Sequence, residues 1–152
     1  MKNLIIFISI LITFCFFNFN CEESTKPKEE SNVPAELVGA WSANQFLMTN
    51  NADTREHVDL IQLGITFLLT IQSNENYSST LNIPLQSPII ESGIFSVQNN
   101  QMIISPDNDN AYTMGYSVSN NVLSLIDPNS EFDSNDDGIE LPCTAQIILQ
   151  KN

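Results

Sequence analysis

Six carboxylates fall between Asp127 and Glu140, in the stretch DPNSEFDSNDDGIELP. Within it, Asp133, Asn135, Asp137 and Gly138 match the first, third, fifth and sixth places of a calcium loop of the EF-hand type. In such a loop, oxygen ligands on alternate residues wrap a hard cation and a glycine makes the sharp bend. The match then fails: the twelfth place is Thr144 rather than Glu, Glu140 stands where an apolar residue is usual, and no helical pattern flanks the loop. Asp, Asn and Gly also build ordinary solvated turns, and six like charges favour solvation. The sequence favours an acidic surface loop, 127–142, over a weak calcium site, and no metal is assigned.

The single histidine, His57, stands in DTREHVDL beside Arg55, Glu56 and Asp59. A general base needs its imidazole and a carboxylate held in fixed geometry, and one His among scattered acids specifies a metal poorly. The segment reads as part of a solvated loop, 50–64. There is no Gly-x-Ser-x-Gly, His-Glu-x-x-His, paired-cysteine or phosphate-loop pattern, so neither an enzyme nor a cofactor is expected.

Cysteine chemistry points elsewhere. Lys2 is the only charge before Glu22, and Leu4 to Phe17 is almost unbroken Leu, Ile and Phe, the pattern of a secretory signal rather than of folded structure. Asn18, Phe19 and Asn20 do not supply the small residues that an ordinary signal peptidase requires. The remaining route is lipoprotein processing, with a cysteine as the acylated first residue. Cys15 would leave Phe16, Phe17 and Phe19 at the start of the mature chain in water; Cys21 sits where the apolar run stops. The expectation is therefore a signal peptide over 1–20, lipid attachment at Cys21, and an acidic tether over 21–33. An uncleaved anchor and plain secretion stay open, the first short at sixteen residues against the ~20 that span a bilayer. Acyl chains on Cys21 would make the membrane a partner and place the chain in a bacterial envelope, at the outer membrane or cell surface.

Without residues 1–20 the chain carries four basic and eighteen acidic side chains, and no Lys or Arg occurs between Arg55 and Lys151. That excludes nucleic acid, whose phosphates require basic clusters, and a polybasic hold on anionic lipid. Such charge keeps an exported protein soluble and repels its own kind, so a monomer is expected. With Cys21 acylated, Cys143 has no partner for an internal disulfide.

Any site must be positioned by strands. From Val33 onward, apart from a single turn at PAELV, the pattern is period-two alternation broken by turn residues. Trp41 to Thr49 makes a first strand. Ile65, Phe67, Leu69 and Ile71 share a face in the second, and Tyr77, Leu81 and Ile83 in the third. After a proline-broken loop, PLQSPII, come SGIFSV with Phe95 and Val97 inward, QMIIS, AYTMGYSV, VLSLI and CTAQIILQK. Asn-rich turns join antiparallel neighbours because Asn tolerates positive φ, and nothing is long and periodic enough to supply parallel crossovers. Eight such strands predict an all-β domain over 34–152, an antiparallel up-and-down barrel without exposed edges. An antiparallel β-sandwich is the alternative.

Leu37, Gly39 and Trp41 in ELVGAWS resemble the Gly-x-Trp start of lipocalins, above all the short lipocalin-like domains of bacterial lipoproteins. ESGIFSVQNNQMIIS and YSVSNNVLSLID are similar to two middle hairpins of that family. Lipocalins place a late Arg over the Trp; here Lys151 is the available cation, and neither a Thr-Asp-Tyr motif nor a helix after the last strand is present. The resemblance implies a barrel that holds a small ligand. An eight-stranded barrel is just wide enough to be filled by side chains or to hold one such molecule. Two readings follow. One is a packed core with a shallow cup, fitting a surface protein whose long loops contact a macromolecule. The other is a pocket for a small apolar or amphipathic ligand, lined by Trp41, Phe67, Tyr112, Met114 and Tyr116, whose phenols need polar partners when buried.

Overall fold

The computed structural model describes residues 33–133 and 139–152. Along them run β1 (Gly39–Asn50), β2 (His57–Asp59), a short 3₁₀ helix (Leu60–Leu63), β3 (Thr66–Ile71), β4 (Asn76–Asn82), β5 (Ile89–Gln98), β6 (Gln101–Pro106), β7 (Tyr112–Ser119), β8 (Val122–Phe132) and β9 (Leu141–Lys151). From β3 to β9 each strand pairs antiparallel with the next, and β9 returns to pair with β1, which also pairs with β3. The result is a closed eight-stranded up-and-down barrel with β2 added on β1. A single ring excludes the two-layer sandwich. The turns explain part of the asparagine abundance: Asn99–Asn100 and Asn120–Asn121 all have positive φ, between 50° and 62°, as a two-residue hairpin demands for its right-handed twist.

Three segments differ from the sequence expectation. The first is the 50–64 loop, which contains β2 and the 3₁₀ helix. β1 pairs with β3 only through Gly39–Ser42; further along, Leu47, Met48 and Thr49 pair with β2 instead. In between, the backbone N–H of Phe46 donates to Asp59 Oδ1 at 3.1 Å, and the same oxygen accepts from Ile61 N at 3.1 Å, capping the 3₁₀ helix. The second is β8, which runs to Phe132 through the first part of the expected acidic loop. A bulge between Asp127 and Ser130 takes up Pro128, which has no N–H to give a ladder. The third is β5, which begins at Ile89, inside the expected proline loop.

Leu37, Trp41, Leu123 and Leu149 are fully buried and seal one end of the barrel. Trp41 Nε1 donates to Leu37 O at 2.9 Å, so the buried indole is satisfied. Lys151 lies over the ring with Nζ 5.1 Å from its centroid and donates to Glu36 O at 3.0 Å. Gly39, at φ +146°, makes this possible, because a Cβ there would stand 2.6 Å from Lys151 Cε. The Gly-x-Trp spacing thus brings indole and ammonium together.

Candidate functional site

At the other end the strands enclose a cavity of about 380 Å³. Inward residues of alternating strands build it: Ile71, Met102 and Leu125 lie deep, Phe46, Phe67 and Ile147 form walls, and Leu81, Ile89 and Tyr112 stand near the mouth. Ile89 is 54% exposed, so the cavity is continuous with solvent. Phe46 and Phe67 meet edge to face, with ring centroids 5.9 Å apart.

The polar part of the lining is acidic. Glu91 Oε1 accepts from Tyr77 OH at 2.7 Å and from Tyr112 OH at 3.1 Å. One carboxylate oxygen therefore ties together β4, β5 and β7. Glu91 reaches the interior by strand parity: Glu91, Gly93, Phe95 and Val97 alternate inward along β5. Gly93 pairs with Tyr77 and carries no side chain to compete with that ring. A Cβ on Gly93 would also lie 2.3 Å from Ser105 O, so only glycine lets β5 and β6 approach this closely. Asp127, at the β8 bulge, accepts from Asn129 N and from Ser130 Oγ, each at 2.9 Å.

Burial, then the hydrogen bond and charge of Glu91, push the Tyr77 phenol well above its ordinary value. Burial, then the field of Glu91 and further that of Asp127, does the same for Tyr112. Both therefore serve as donors, not phenolates. Among the described residues the Lys and Arg side chains are Arg55 and Lys151. Arg55 bonds the exposed carboxylate of Asp53 at 2.6 Å, and Lys151 is engaged at the sealed end. Neither carboxylate of the cavity has a described Lys or Arg beside it.

Of the residues expected in a pocket, Phe67, Tyr112 and Met114 line the cavity. Trp41 and Tyr116 do not. Trp41 sits at the start of β1, in the sealed end. Tyr116 lies toward the same end, its N–H donating to Asn100 O at 2.9 Å and its side chain packed on the core. Tyr77, Glu91 and Asp127 were not singled out as site residues, since no motif marks them; extending the inward parity of Phe95 back along β5 would have exposed Glu91. Cys21 lies outside the described residues, as do 134–138 of the calcium-like segment. Thr144, at the twelfth place of that pattern, belongs to β9 and donates Oγ1 to Asn51 Oδ1 at 2.8 Å.

His57 is exposed on β2 and borders a second recess with Met48, Phe132 and Cys143. Burial pushes the Cys143 thiol up, away from the thiolate that nucleophilic or metal chemistry needs. Among the described residues no group of three or more His, Cys, Asp or Glu could hold a metal.

No protein-family model matches the chain, and no curated protein matches it. Among solved structures it is similar to the crystal structure of Rv2717c from M. tuberculosis, at 11% identity and a TM-score of 0.41, over 78% of this chain and 94% of that one. At that level the likeness bears on neither ligand nor activity.

Proposed function

We propose that this protein is an envelope lipoprotein, acylated at Cys21, whose lipocalin-like barrel binds a small apolar or amphipathic ligand in its open cup. One observation carries the binding part: a cavity of about 380 Å³ with largely apolar walls, within the ~300–1,000 Å³ usual for small-molecule sites. The alternative, a rigid support for interaction loops around a packed barrel, expects an interior filled to the rim by side chains, and this one is filled at one end alone. The anchoring part is supported by the apolar leader that stops at Cys21 and by the charged stretch after it. Each acyl CH₂ buried in the bilayer contributes ~0.8 kcal/mol, so two or three chains give long-lived attachment.

Native mass spectrometry of the purified protein tests the binding part. The expected result is a small-molecule adduct that disappears in Ser79→Phe, which fills the wall; an adduct of unchanged abundance in that variant refutes the cup as its site. Cys21→Ser is expected to release the protein from membranes, and continued fractionation with them refutes acyl anchoring.

A further inference from the structure

The cup combines two properties that rarely serve the same ligand unless it is itself divided. Its walls are largely hydrocarbon, and among the described residues its charged lining groups are the carboxylates of Glu91 and Asp127. Glu91 is half used: both phenols converge on Oε1, and no described protein donor reaches Oε2. Asp127 keeps both oxygens on local donors of its own bulge and adds charge rather than an open acceptor. Neither charge is offset by a described Lys or Arg, and the whole chain carries −13. Such a field draws in cations and turns anions away.

Resting on the reading of the cup as a ligand site, we propose that its ligand is a cationic amphiphile, a protonated amine on an apolar body, with Glu91 Oε2 accepting the ammonium N–H. A fatty-acid-like anion would set a third carboxylate against two uncompensated ones. A neutral alcohol would fill the apolar walls but leave the carboxylate with a weaker, uncharged donor. Charge-assisted hydrogen bonds are roughly twice as strong as neutral ones. The two phenols fix the Glu91 carboxylate in place, so its free oxygen is preorganised and little side-chain freedom is lost when a ligand arrives. The apolar body packs against Phe67 and Met114, beside the Phe46 edge.

Calorimetric titration of the purified protein with decylammonium, decanol and decanoate tests this. Decylammonium is expected to bind about tenfold or more tightly than decanol, in keeping with a charge-assisted bond, and decanoate most weakly. Glu91→Gln keeps an oxygen acceptor for both phenols, which favours retention of the fold. It is expected to erase the advantage of the amine over decanol, because the amide carries no charge to assist the ammonium bond. Asp127→Asn should reduce the advantage by less, and added salt should weaken the amine but not the alcohol. If decanoate matches decylammonium, or if Glu91→Gln leaves the amine-to-alcohol ratio intact, the cationic assignment is overturned and the cup stands. If none of the three binds, the cup reading fails and takes this inference with it. Should Glu91→Gln not fold, the Asp127→Asn and salt arms decide in the same way.

Discussion

At one end of the barrel a lysine lies on an indole; at the other, a glutamate takes two phenols and faces an open cup. Both arrangements pair an aromatic side chain with a charge, yet they do opposite things. At the sealed end the cation comes from the chain itself: Lys151 covers Trp41 and donates to Glu36 O, so the ring is fully buried and the end is finished. At the open end the charge is negative and no described Lys or Arg answers it. Tyr77 and Tyr112 stiffen Glu91 without neutralising it. A chain so poor in Lys and Arg spends one of them on closing the barrel and leaves the mouth acidic.

Cutting back the sealed end should cost most. Trp41→Ala removes a fully buried ring, and urea denaturation should register a loss of about 3–5 kcal/mol. Leu81→Ala, facing the cavity, should lose well under half of that, because its side chain is only half-buried and has fewer packed neighbours to lose. Equal losses at the two positions would mean that the ends do not differ in packing.

An intermediate effect is expected at the phenols. Tyr77→Phe strips a donor from a carboxylate and should lower stability by roughly 1.5–3 kcal/mol. The same pair gives a pH signature. Both phenols are held above their ordinary value of 10.0, so the stability they contribute is complete below that pH. It is lost as pH climbs above 10.0, where the unfolded chain ionises first, toward the higher folded values. Tyrosinate absorbance followed against pH should show two late-ionising tyrosines, and their ordinary titration in the folded protein would break the account. The smallest change is expected from Lys151→Met, about 0.5–1 kcal/mol for a partly exposed cation over a ring, measured in the same denaturation series.

The ring was legible because its physics is local. Alternation from Phe67 to Ile71 and from Cys143 to Leu149 states which side is inside, and paired asparagines at 99–100 and 120–121 state where the chain reverses. What escaped the sequence depends on distant partners. β2 is three residues long and exists because β3 parts from β1 and leaves an edge to be paired. Pro128 and Asn129 read as a loop, but a bulge holds them inside β8. Ile89 and Ile90 read as part of a proline-broken loop, yet they pair with Leu81 and Thr80 on β4. The chemistry of Trp41 and Tyr116 suits a pocket, but alternation does not say how far along the barrel axis a residue sits. Glu91 is the converse case: its parity is readable, but a lone acid carries no motif until Tyr77, fourteen residues earlier, is seen to reach it.

The divided partnership of β1 decides how this rim yields. Only Gly39 to Ser42 are laddered to β3. Beyond them the two strands diverge, and the seam is filled by Phe46 against Phe67 and by a strand that belongs to β1. Spreading the seam slides one aromatic ring off another and breaks no rung between β1 and β3. The barrel has a stiff hoop at its base and a collar with one soft stitch, where the rim would give first.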